Sequence, residues 1–205
     1  MRPELRIPTA EETRQILEAV AGSNIEGPTL LAAGCGLRLG ESLALRRTDV
    51  NTDKAELRVT ATMYRGGRTA PKSPRSRRKV AMPGFVALWL KGHLAEQAAR
   101  QIASVAWSEG SYVFDRGAGM PMAVETVSHQ FARLVAEVGL GDVRMHDLRH
   151  AFATRLFERG VHPKVVSEAL GHASIAITLD TYSHVMPSMG RIAADAIEAV
   201  LGTEG

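Results

Sequence analysis

Apolar positions along the chain recur mostly at helical spacing. Thr9 followed by Glu12 is the signature of a capping box, and Ile16, Leu17 and Val20 then mark one apolar face, which predicts a first helix. A second helix is expected over about 29–34 and a short third over about 40–46. Leu57, Val59, Ala61 and Met63 alternate with polar neighbours, the pattern of a half-buried strand; Gly66-Gly67 marks a turn, and 79–82 supplies the returning strand. Residues 85–102 have helical composition, and 112–114 form a short apolar piece. Val124, Val127, Phe131, Leu134, Val135 and Val138 keep helical spacing until Gly139 stops them. A helix over about 147–158 ends before Gly160, and Pro163 and Gly171 bracket another as first-turn proline and C-terminal glycine. Two more are expected over 174–184 and 187–201. The predicted fold is mainly α with a small antiparallel β-sheet. No repeat, low-complexity linker or domain boundary is evident, so residues 1–205 are expected to form one domain, with 187–205 as a C-terminal helix and tail.

Composition changes this picture little. The 205 residues are 45% hydrophobic and 23% charged, which suits a globular domain with a sizeable core. No uncharged run exceeds eleven residues, too short for a membrane-spanning helix, and the N-terminus has neither an apolar signal region nor a cleavage site. A soluble, cytoplasmic protein is the expectation. Cys35 is the only cysteine, which excludes an intramolecular disulfide and any multi-cysteine metal site. The net charge is only +3, but 20 of the 25 basic residues are arginine. Arginine clamps phosphate with a planar fork of donors, although GC-rich codon usage would raise its count as well. Seven basic residues and no acidic one lie between Arg65 and Lys79, interrupted by two prolines and two glycines, so an exposed basic loop is expected there.

Four local patterns bear on chemistry. Gly36-Leu37-Arg38-Leu39-Gly40-Glu41 enters a short helix; taken alone, Arg38 and Glu41 make an ordinary surface pair. Pro71-Lys72-Ser73 lies in the basic loop, where a lysine is usually a solvated charge. In His146-Asp147-Leu148-Arg149-His150, positions 146 and 149 share a helical face and aim an imidazole and a guanidinium at one place. His146 and His150, four apart, are also a candidate zinc pair with His172 or Asp147, but no glutamate at 147 completes a metalloprotease pattern, and no metal is expected. Last come Leu170-Gly171-His172-Ala173-Ser174 and Asp180-Thr181-Tyr182-Ser183-His184, which place a histidine past a helix end and a tyrosine in a polar setting ten residues on.

In this order the pieces Gly-Leu-Arg-Leu-Gly-Glu-Ser-Leu-Ala-Leu, Pro-Lys-Ser, His-Asp-Leu-Arg-His-Ala-Phe-Ala-Thr, Leu-Gly-His-Ala-Ser-Ile and Leu-Asp-Thr-Tyr-Ser-His-Val resemble the catalytic domain of the tyrosine recombinase (phage integrase) family over about residues 8–186. The resemblance implies site-specific recombination or integration of double-stranded DNA without metal, ATP or other cofactor. Tyr182 would attack the scissile phosphate, giving a 3′-phosphotyrosyl link and a free 5′-hydroxyl. Arg38 and Arg149 would offset the charge that gathers on the non-bridging oxygens, and His172 would donate a third hydrogen bond. Lys72 is the implied acid for the 5′-oxygen, with Lys79 as the alternative. His146 would help deprotonate Tyr182, whose free pKa lies near ~10; His150 is taken as structural. Glu41 would hold Arg38. Arg65, Arg68, Arg75, Arg77, Arg78 and Lys79 are the candidate DNA contacts, because the loop offers them no local counter-charge.

Family members usually carry an N-terminal helical domain that grips the other face of DNA, and this sequence starts almost where the catalytic domain begins. Assembly on DNA as a homo-oligomer, with a location at the nucleoid, is the corresponding expectation. The competing readings are a type IB topoisomerase, which relaxes DNA with a similar residue set, and a catalytically idle DNA-binding remnant.

Overall fold

The computed structural model describes residues 6–64, 67–70, 76–108, 112–183 and 189–202. Helix α1 (Ala10–Val20) starts where its cap dictates: the Thr9 side chain accepts from the Glu12 amide, and the Glu12 carboxylate accepts from the Thr9 amide. Helix α2 (Glu26–Cys35) is buried over most of its circumference, the mark of a helix at the centre of a core. It packs against α1, α3 (Leu39–Leu43), α4 (Gly84–Ala103) and most extensively α6 (Met145–Glu158). It starts three residues earlier than the apolar pattern indicates. Pro28 falls in the first turn, where amides have no intrahelical partner, and the Thr29 hydroxyl donates to the Ile25 carbonyl. The remaining helices are α5 (Val124–Glu137), α7 (Pro163–Leu170), α8 (Ile175–Tyr182) and α9 (Met189–Leu201), each close to its expected span.

Strands β1 (Val50–Asn51), β2 (Glu56–Val59) and β5 (Arg78–Ala81) form an antiparallel sheet in the order β1-β2-β5, with Leu57 opposite Val50 and Val80. Strands β3 (Thr62–Tyr64) and β4 (Gly67–Thr69) form a separate antiparallel pair. The single strand expected over 57–63 is therefore two strands in two sheets. The inward alternation survives the break, since Leu57, Val59, Ala61 and Met63 are all buried. Beyond the break β3 lies close against α3: a Cβ on Gly40 would lie 2.6 Å from Thr62 Oγ1 and 2.8 Å from the Met63 carbonyl oxygen. Only glycine permits that approach.

The main core runs through α1–α6 and the sheets. A smaller apolar cluster of Ala153, Phe157, Val166, Leu170 and Tyr182 joins α6, α7 and α8. Among the described residues, no helix is long and apolar enough to cross a membrane.

Candidate active site

Helices α2 and α7 both end in a left-handed glycine, Gly36 and Gly171, each at φ 65°. These two helix ends converge on Arg149, which α6 delivers from the centre of the fold. Arg149 is 2% exposed; its Nη1 donates to the Gly36 carbonyl at 2.6 Å and its Nη2 to the Leu170 carbonyl at 2.7 Å. A cation at two helix C-termini is electrostatically well placed. Burial, and then the positive charge of Arg38, lower its pKa to about 9, so it remains charged at neutral pH.

Arg38 precedes α3, and Glu41 reaches back from the first turn of that helix to accept from the Arg38 amide at 3.0 Å and from Arg38 Nη1 at 2.8 Å. Arg78, at the start of β5, closes on the same carboxylate through Nη1 at 3.2 Å and Nη2 at 2.9 Å, while its Nε donates to the Ala169 carbonyl at 2.8 Å. Arg149 Nη1 stands 4.0 Å from Glu41 Oε2. Burial alone would raise the Glu41 carboxyl, but Arg78 and Arg38 outweigh it and hold it at about 2. One carboxylate thus organises three guanidinium groups, of which Arg38, with a side chain 40% exposed, faces outward.

His172 follows the α7 cap, and its Nδ1 lies 2.8 Å from Thr178 Oγ1 on α8. Burial and then Arg149 and Arg38 hold the His172 imidazole down at about 4. Tyr182, at the end of α8, is 1% exposed, its ring against Phe157 at 5.6 Å. Burial pushes its hydroxyl up to about 12, against the pull of Arg149 and Arg38. The polar setting expected from its sequence neighbours is corrected accordingly: Thr178 and Tyr182 form the inward face of α8, while the neighbouring Thr181 and Ser183 side chains lie nearer solvent.

The partner of the Tyr182 hydroxyl is His150, through Nδ1 at 2.7 Å. His146, expected to serve that hydroxyl, instead meets His150 edge-on with ring centroids 4.7 Å apart and is exposed. Partial burial of its ring, together with Arg149 and Arg38, lowers its pKa. Asp147 is fully buried as the cap of α6, accepting from the Arg144 amide at 2.8 Å. Among the described residues, no group of three or more His, Cys, Asp or Glu side chains is placed to hold a metal ion.

The structure therefore brings Arg38, Glu41, His146, Arg149, His172 and Tyr182 into one region. Lys72, Arg65 and Arg75 lie outside the described residues, as does His184. The expected cluster of outward-facing loop cations is corrected in part. Arg78 is an internal residue, 6% exposed in its side chain and bound to Glu41. Arg68 donates to the Ala44 carbonyl at 3.0 Å and to Thr60 Oγ1 at 2.9 Å, with Asp49 at 3.7 Å. Lys79 pairs with Glu56 at 3.4 Å while remaining largely exposed. The counter-charges that the loop lacks are supplied by distant elements. Arg77 is exposed and lines a groove of about 480 Å³ with Lys164 and His172. A larger cavity of about 710 Å³, beside Trp89 and His93, shares no residue with this region.

Residues 7–189 match the model of the phage integrase family, and the chain belongs to that family. It is 34% identical, over 204 aligned positions, to a tyrosine recombinase XerC-like protein of Caldanaerobacter subterraneus subsp. tengcongensis, covering 91% of this chain and 52% of that one. Similarity to tyrosine recombinase XerA of Pyrococcus furiosus is 27% over 208 positions, covering 96% and 64%. The chain spans about half to two thirds of the length of these curated relatives. Among solved structures, the Tn1549 transposon integrase in complex with a circular intermediate DNA superposes with a TM-score of 0.80 at 21% identity, covering 96% of this chain and 67% of that one. The catalytic domain of bacteriophage HP1 integrase gives 0.62 at 18% identity, covering 98% and 100%. These likenesses establish the fold as that of tyrosine recombinase catalytic domains.

Proposed function

We propose that this chain cleaves and rejoins double-stranded DNA in site-specific recombination or integration, through a 3′-phosphotyrosyl link at Tyr182, with no metal, ATP or other cofactor. The observation that carries this reading is that Arg38 and Arg149, gathered by the Glu41 carboxylate, lie close enough to His172 and Tyr182 to act on both electrostatically. A phosphodiester nearing a five-coordinate state gathers charge on its non-bridging oxygens, and preorganised guanidinium groups offset that charge. Arg38, partly exposed, and Arg149 lie beside the same carboxylate, and His172, its Nδ1 held against Thr178, leaves Nε2 for the phosphate. Lys72 is the acid for the 5′-oxygen, with Lys79 as the alternative. The phosphotyrosyl bond conserves the energy of the bond it replaces, so a second 5′-hydroxyl completes strand exchange. The relatives' names, recombinase and integrase, favour this over DNA relaxation, and its setting would be the nucleoid. Helix α9 leaves Ile197, Val200 and Leu201 exposed, an apolar face suited to a second copy on DNA.

The test uses a library of nicked duplexes with a randomised core, in which the short strand released on cleavage diffuses away. Wild-type protein should yield a DNA adduct that survives denaturing electrophoresis, in EDTA as in its absence, and Tyr182→Phe should yield none. Arg38→Lys keeps the charge but loses the fork, and should slow adduct formation by about 2.7–4 kcal/mol in barrier. An adduct formed by Tyr182→Phe, or DNA binding without any adduct across the library, refutes the reading.

A further inference from the structure

We propose that His150 is the proton acceptor for Tyr182: its Nδ1 holds the hydroxyl and takes the hydrogen as Oη bonds to phosphorus. This rests on the reading of Tyr182 as the nucleophile.

The geometry comes first. His150 Nδ1 lies 2.7 Å from Tyr182 Oη, and the two rings stand 5.8 Å apart at 53°. Phe157 packs the tyrosine ring from α6 as well, so the direction of the hydroxyl is set by packing as much as by the hydrogen bond. No hydrogen bond joins His146 to that oxygen in the described structure, although it stands edge-on to His150.

The surrounding charges set the protonation state of the pair. His150 is faced by His146, Asp147 and Arg149 on its own helix, by Arg144 just before that helix, by His172 from the turn before α8, and by Tyr182 itself. Burial, and then His146, hold the imidazole at about 4, so it is neutral at physiological pH, while the tyrosine hydroxyl, held at about 12, keeps its proton. In the tautomer that carries its hydrogen on Nε2, Nδ1 accepts from the tyrosine hydroxyl, and this is the tautomer that can take the proton. A DNA phosphate drawn to Arg38 and Arg149 adds negative charge beside these cations. The imidazole then becomes more basic when substrate is seated, and stays a weak base otherwise.

The step balances without an outside reactant. The Oη–H bond breaks and its proton goes to Nδ1; the Oη–P bond forms; the P–O5′ bond breaks and the 5′-oxygen takes a proton from the acid, for which Lys72 is the candidate. On rejoining, the incoming 5′-hydroxyl returns its proton to that acid's conjugate base, and the His150 imidazolium returns its own to Tyr182.

The test measures single-turnover adduct formation by the full chain on the best duplex from the library, between pH 6 and 9.5. Each duplex is prepared with oxygen or with sulfur at the 5′-bridging position; sulfur leaves without an acid. His150→Ala should bind DNA normally yet lose about 10²–10⁴-fold in rate at pH 7. That deficit should narrow as pH rises toward ionisation of the tyrosine hydroxyl, and sulfur should not repair it. His150→Asn keeps a side-chain oxygen able to accept the hydroxyl's hydrogen bond but cannot take the proton, so it should be slow as well; should the alanine variant fail to fold, the asparagine variant decides alone. A rate within threefold of wild type in His150→Asn, a deficit constant across pH, or rescue by sulfur overturns the proposal. Absence of adduct from wild-type protein on every duplex would instead be a failure of the functional reading.

Discussion

Glu41→Gln removes one charge from the middle of the site and almost no volume. The carboxylate is 5% exposed in its side chain and faces Arg38, Arg78 and Arg149. Removing the shared anion leaves three cations near one another in a poorly hydrated place, the situation in which one lost partner costs about 3–5 kcal/mol. An independent figure comes from the depression of its pKa from 4.5 to about 2. At 1.36 kcal/mol per unit, that is about 3 kcal/mol. The sign is that of a depressed acid: stability is present above 4.5 and is lost as pH falls toward 2. Linkage leaves less than half of it at pH 3. Urea denaturation of wild type and variant, at matched ionic strength, should therefore differ by about 3 kcal/mol at pH 7 and by less than half of that at pH 3, with unchanged slope. At pH 7 the melting temperature should fall by about 6–12 °C. A difference below about 1 kcal/mol at pH 7, or one that is the same at pH 3, would refute the view that this carboxylate is the counter-ion of the cluster.

Three further outcomes are expected. His150 and His172 are both held at about 4, so each is neutral in the folded chain; stability should be level above 6.5 and fall as pH drops from 6.5 toward 4, and a flat melting temperature between pH 7 and 5 would contradict this. Gly36→Ala places a Cβ 2.5 Å from the Phe152 ring at a positive φ, which should cost about 1–3 kcal/mol and slow adduct formation by shifting the carbonyl that holds Arg149; an unchanged melting temperature would count against it. Arg77→Ala should lower the slope of log affinity against log salt by about 0.9 with no change in melting temperature, whereas Arg78→Ala should lower the melting temperature, and the reverse pattern would undo their assignment to surface and interior.

Local signals in the sequence were accurate where the structure is itself local. The Thr9–Glu12 box, the Pro163 start and the Gly171 stop each act within a turn of themselves, so their meaning survives out of context. The split of the 57–63 strand was not legible, because β3 beyond it meets Gly40, more than twenty residues away. Arg78 was misplaced for the same reason. A loop without acidic residues looks uncompensated until Glu41, Asp49 and Glu56 arrive from other elements. The four-residue interval between His146 and His150 did carry a signal, a shared helical face. It said nothing of which ring would meet Tyr182, because that depends on how α8 lies across α6.

The anchoring of Arg149 bears on how such an enzyme can be disarmed or divided. Its guanidinium is bound to a carbonyl 113 residues earlier and another 21 residues later. A fragment ending before residue 170 would keep the cation and lose one of its acceptors; a fragment beginning after residue 36 would lose the other. The proposed activity should consequently be lost when the chain is clipped at either place, because Arg149 is then held on one side only. A variant intended to bind DNA inertly is better made at Tyr182, where only a hydroxyl is lost, than at Arg149, where the same change removes a strut.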